Sequence, residues 1–137
     1  MEEVTCALDV RRVIHARAHE IVDQALLEVW RRPSLAYTRR LAEWELRAWL
    51  LGILLRMADS DPSLGFLHFS RPFLWHEAVE TVRILMRRTT RAVGGGPDTQ
   101  ADLRRSFNHY LIRLGEHFEA MACRNIARDR ARIGSGG

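Results

Sequence analysis

The chain has 137 residues, of which 47% are hydrophobic and 28% charged, and its formal net charge is +4. That length fits one domain able to bury a core without disulfides or structural metals, and the composition excludes a disordered chain. All 21 basic side chains are arginines, spread along the chain among acids such as Glu43, Glu45, Glu77, Glu80, Glu116 and Glu119. With no winged or ribbon element beside them, they do not mark a nucleic-acid partner.

Periodicity predicts about four long helices, or five if the linker after the second holds a helical turn, and no strand-like alternation competes. The first runs from about Val4 to Trp30, where Val10, Ile14, Ala18, Ile21, Ala25 and Val29 share one face. "RRPS" ends it, because Pro33 lacks a donor and disfavours helix in the residue before it. The second spans about Leu35 to Ala58, with Leu41, Trp44, Ala48, Leu51, Leu55 and Ala58 as its seam, and "DSDPSLG" closes it.

Pro72 sits where a helix start tolerates proline, and the third helix continues to about Val93 on a seam of Trp75, Val79, Val82, Met86 and Val93. "GGGPD" makes a flexible break. Asp98 or Thr99 then caps a fourth helix, with Thr99 and Asp102 at capping-box spacing. Its core face is Leu103, Phe107, Tyr110, Leu111, Leu114, Phe118, Met121 and Ile126. "IGSGG" reads as a flexible end or a cloning scar, so residues 1–133 form one helical domain with a tail at 134–137, and the natural chain is expected to continue.

Amphipathic helices joined by short connections bury their stripes against one another, as an antiparallel four-helix bundle or a globin-like helical stack. The first and fourth helices look longer than the middle pair, so their ends project and call for a second copy. No apolar run reaches the ~20 residues of a membrane span; "AWLLGILL" is bounded by Arg47 and Arg56. The N-terminal stretch lacks the basic-then-apolar order of a secretory signal, so the cytoplasm is the expected compartment. Cys6 and Cys123, without CxxC or CxxH spacing, suit a reducing one.

His15 and His19 lie four apart, His15 within the apolar arc of the first helix and His19 on its border. His76 with Glu80 repeats that spacing on the third helix, and His109 and His117 share one face of the fourth. A transition-metal site from His15, His19, His76 and Glu80, or a haem or other tetrapyrrole held by His15, His19, His76, His109 or His117, is therefore the alternative to a domain without cofactor. Against it, the second helix has no histidine, as a hemerythrin-like order requires, and the ferritin-like ExxH motif is absent. Border histidines ordinarily pack by the ring and keep one nitrogen wet, or titrate at an interface.

Arg104 and His109 stand at a spacing that resembles the RxxxxH element of HEPN-type ribonucleases, a match an arginine-rich chain reaches by chance. GxSxG, a Walker-type loop and HExxH are all missing, so no enzyme is expected. The aromatic residues speak instead for binding. "EWELRAWLLGILL" is rich enough in large apolar groups to need cover on more than one side. Trp44 fits its seam, while Trp49, Leu46 and Ile53 make a second face. With Trp75, these residues are the expected dimer interface or ligand pocket.

The runs "HEIVDQALLEVWRRPSLAYTRRLAEWELRAWLLGILLRM", "WHEAVETVRILMRRTTRAV" and "LRRSFNHYLIRLGEHFEAMACRNIAR" together resemble the RsbR and RsbRD N-terminal helical sensor domains of bacterial signalling proteins. The shared pattern is a first helix ending near a tryptophan and a proline, an arginine-rich second helix, and amphipathic third and fourth helices. "LHFSRPFLWHE" departs from it, where a more polar turn with arginine and glycine would be expected. The resemblance implies a non-catalytic regulatory input domain, often a homodimer. Its last helix would carry a ligand- or partner-induced change into a kinase, anti-sigma-type, STAS or other effector.

Overall fold

Residues 7–59 and 74–135 are described by the structure, a computed structural model of the chain. They form α1 (Ala7–Arg31), two 3₁₀ turns (Pro33–Leu35 and Thr38–Arg40), α2 (Glu43–Ala58), α3 (Trp75–Val93) and α4 (Pro97–Ser135). No strand occurs among the described residues, so the chain is all-α. The linker after α2, with Pro72 as an expected helix start, lies outside them.

α1 buries Ile14, Ala18, Ile21, Val22, Ala25, Leu26 and Val29 along one stripe. Asp9 in its first turn and Arg31 in its last complement the helix dipole. The stop comes where Pro33 demands it: Arg32 is extended, with φ −99° and ψ 115°, because the proline ring disfavours a helical predecessor.

The second helix starts later than its periodicity predicts. Leu35 and Thr38 in the two 3₁₀ turns and Leu41 just after them are buried, and the backbone is extended at Leu41 and Ala42 before α2 begins. Tertiary bonds hold this connection. Glu77 of α3 accepts hydrogen bonds from both the backbone N–H and the hydroxyl of Thr38 at 2.8 Å, and Glu80 accepts from Ser34 at 2.8 Å and Arg32 at 3.2 Å.

α2 is also turned about its axis relative to the expected seam. Its buried apolar residues are Leu46, Trp49, Leu50, Ile53 and Leu54, while Trp44 is 70% exposed. A helix apolar nearly all round gives periodicity little to choose from, and in the observed rotation the Trp49 indole donates to the Tyr110 hydroxyl of α4 at 3.1 Å.

On α3 the core face is Ala78, Thr81, Val82, Leu85, Thr89 and Val93, rather than a seam led by Trp75. Thr81 and Thr89 are admitted because their hydroxyls donate to the carbonyls of Glu77 at 2.8 Å and Leu85 at 2.7 Å, one turn back. Gly94 and Gly95, at φ 66° and 82°, then turn the chain. α4 begins at Pro97, earlier than a cap at Asp98 or Thr99 would allow, with proline at its first position as helices favour. Gln100 closes the corner by donating to the carbonyls of Thr90 and Gly94.

Ion pairs fix the directions. Asp59, after the end of α2, meets Arg11 and His15 near the start of α1, whereas Arg47 meets Asp23 further along it. Glu28 holds Arg88 and Arg87, and Arg17 donates to the carbonyl of Ala92 at 2.9 Å. Both α2 and α3 thus run antiparallel to α1, and α4 runs antiparallel to α3, from Gln100 beside Thr90 to Phe118 beside Trp75. The result is an up-down-down-up bundle of four helices. α4 is helical through Ser135, which takes in Gly134 and Ser135 of the expected tail; its 39 residues span about 58 Å against about 28 Å for α3.

Candidate functional site

An open cleft of about 780 Å³ lies between α3 and α4, lined by Trp75, Val79 and Arg83 on one side and Leu111, Ile112, Gly115, Glu116, Phe118 and Glu119 on the other. A glycine lets the two helices meet closely there. A Cβ at Gly115 would stand 3.2 Å from the far edge of the Trp75 indole, so the bare backbone lets that ring lie a few tenths of an ångström nearer α4 than a side chain would allow. The indole then meets Phe118, ring centres 5.4 Å apart and tilted by 47°, and the imidazole of His117 stands edge-on to Phe118 at 6.4 Å. The apolar floor stays in contact with water: Ile112 is 62% exposed and Trp75 40%.

Charge rims this floor. Arg83 stands on the α3 edge, and Glu116 and Glu119 stand on the α4 edge, all three exposed. The site lies where α4 passes the first turn of α3 and continues beyond it. Met121 and Ile126, expected on the α4 stripe, have no described side chains.

Trp75 is the expected interface residue that this cleft contains. Trp44 is exposed elsewhere, on α2, and not on its seam. Leu46, Trp49 and Ile53, expected as a second face open to a partner or ligand, are instead 0%, 3% and 1% exposed inside the chain's own core. Ile112, Gly115, Phe118 and Arg83 were not singled out from the sequence as a site. The available signal was Ile112, a large apolar residue off the predicted core face of the fourth helix.

The histidines are not gathered. His15 is exposed, not within the apolar arc, and its Nε2 lies 2.9 Å from Asp59 Oδ1, which also accepts from Arg11 at 3.0 Å. These bonds, that from His15 foremost, hold the Asp59 carboxyl below its usual range. His19 is exposed one turn further on. His76 and Glu80 belong to the opposite end of the bundle, where Glu80 pairs with Arg32, about 25 Å along α1 from His15. His76 is exposed, 3.9 Å from Glu77 and beyond hydrogen-bond reach. His109 is exposed on α4, and His117 is half-buried. Among the described residues no three His, Cys, Asp or Glu side chains group closely enough to hold a metal ion.

Two polar arrangements, one buried at Tyr110 and one half-buried at Glu28, tie the helices together away from the cleft. Burial pushes the Tyr110 phenol up to about 12, with the Trp49 hydrogen bond and the charge of Arg56 opposing it. Burial also raises the Glu28 carboxyl, but hydrogen bonds from Arg32 and Arg88 and their charges more than offset this, leaving it below the usual range. Among the described residues no helix is long and apolar enough to cross a membrane. No family model matches this chain, and no curated protein or solved structure matches it either.

Proposed function

We propose that this chain is a non-catalytic helical input domain of a bacterial cytoplasmic signalling protein, of the kind its resemblance to the RsbR and RsbRD N-terminal domains implies. In this reading it dimerises and relays a ligand- or partner-induced change in helix packing along α4 into a kinase, STAS or other effector. The observation that carries the reading is the apolar cleft between α3 and α4, placed where α4 runs on past the first turn of α3. An occupant pressed against Trp75 and Phe118 bears directly on the helix that leaves the bundle. It shifts α4 only by binding one packing of that helix better than another.

Native mass spectrometry of freshly purified protein tests this. A dimer of bare polypeptide is the expected result. A monomer across the micromolar range overturns the dimeric reading, and added mass matching haem or a metal overturns the domain without cofactor.

A further inference from the structure

We infer that the cleft between α3 and α4 is the face through which two copies of this chain pair, each presenting Arg83 to Glu116 and Glu119 of the partner subunit. The inference rests on the dimeric reading above and gives that dimer its surface. Three observations meet on this one face. The floor is apolar and wet, with Ile112 62% and Trp75 40% exposed. The rim carries charges of both signs, an arginine on α3 and two glutamates on α4. Among the described residues those three charges make no ion pair, whereas the neighbouring α3 arginines Arg87 and Arg88 are both held by Glu28.

Those features select the occupant. An acidic partner would meet Glu116 and Glu119, a basic one would meet Arg83, and a neutral apolar molecule would leave all three charges as they are. A second copy answers both signs at once. A two-fold contact sets one patch against itself, so that residue i meets j and j meets i, and the arginine of each copy reaches the carboxylates of the other while the indoles and isoleucines leave water.

The test is sedimentation equilibrium on the full chain at low and high salt. Because Arg83, Glu116 and Glu119 are exposed, their substitutions leave the fold intact, which circular dichroism checks. Arg83→Glu, which sets three acids against three, is expected to weaken the dimer at least about ten-fold, as is Glu116→Arg with Glu119→Arg. Combining all three reversals is expected to restore it. Ile112→Arg should also give monomers. If the wild-type chain is dimeric and none of these variants changes it, the inference fails while the dimeric reading stands. A triple variant that stays folded and monomeric overturns the charge pairing, and a monomeric wild type overturns the dimeric reading itself.

Discussion

The two sides of α3 are built on opposite terms. Its core side presents Ala78, Thr81, Val82, Leu85 and Thr89, all without exposure, and the adjacent rim is clasped to α1 by the pairs of Glu28 with Arg87 and Arg88. The side toward the cleft presents Trp75, Val79 and Arg83, which are half-buried or exposed. One helix therefore serves as a fixed platform and as a face with room to adapt. Close packing makes the first side intolerant of change, and solvent contact makes the second tolerant.

The largest test of that contrast is a pair of truncations. Leu85→Ala removes a side chain with no exposure and should cost about 2–5 kcal/mol in urea unfolding. Ile112→Ala, at 62% exposure in the single chain, should stay within about 0.5 kcal/mol when unfolding is followed at concentrations where the chain is monomeric. Equal costs would mean that the cleft is as tightly built as the core. Next comes the anchor of the α1–α2 connection. Glu77→Ala strips Thr38 of the acceptor for both its N–H and its hydroxyl at a site where both residues are buried, a loss of about 1–3 kcal/mol. A stability equal to wild type would show that this carboxylate does not hold the turns.

Tyr110→Phe removes a single neutral hydrogen bond, from Trp49, and should cost about 1 kcal/mol near neutral pH. It should also change the alkaline limb of the stability curve. The folded phenol is raised to about 12 from an ordinary value of about 10, so its contribution is present below pH ~10 and lost as pH climbs toward 12. Unfolding followed across that window should show the decline in wild type and a shallower one in Tyr110→Phe. Parallel curves would place the phenol in water.

Why some of this was legible in the sequence, and some not, can be read from the same residues. The stripes of α1 and of α4 through Leu114 were evident because apolar and polar residues alternate cleanly at helical spacing. α2 was not, because Trp44, Leu51 and Leu55 offered as good a seam as Trp49, Leu50 and Leu54, and the bond of Trp49 to the distant Tyr110 favours the second. On α3 a polarity scale hides the core positions Thr81 and Thr89, whose hydroxyls are satisfied locally. Glu45 and Glu77, which nothing in the sequence sets apart from Glu43 or Glu116, are buried at 3% and 4% exposure. The cleft was the least legible feature, since it depends on Gly115 passing beneath an indole from another helix. Histidine spacing suggested a metal set, yet His15 and Glu80 occupy opposite ends of α1.

A smaller effect distinguishes the clasped rim from the cleft through acid. The Glu28 carboxyl is held below its usual range in the folded chain, so its stabilising contribution is present above the ordinary carboxyl value and is lost as pH falls through the lowered one. Glu28→Gln should lower stability in the neutral region, where its ion pairs are made, and converge with wild type as pH falls, so that the acid limb flattens. The matching change at the cleft, Glu116→Gln, removes no ion pair among the described residues and should leave the neutral stability of the single chain within about 0.5 kcal/mol. Equal responses from the two variants would erase the distinction between clasped and open sides.

The smallest effect pits two terms against each other at Gly115. Alanine there gains about 1 kcal/mol of helix propensity inside α4, because glycine loses more backbone freedom on folding. Its methyl group would stand 3.2 Å from the Trp75 indole, close enough that the ring must withdraw by a few tenths of an ångström. Trp75 sits in the first turn of α3 and is 40% exposed, so the ring has solvent on one side and room to yield. Propensity should win, with Gly115→Ala raising stability by a few tenths of a kcal/mol to about 1 kcal/mol in urea unfolding. A loss of stability would mean that the indole is held in place more firmly than its exposure implies. The cleft would then belong to the fixed side of α3, and an occupant could bear on α4 only by moving both helices together.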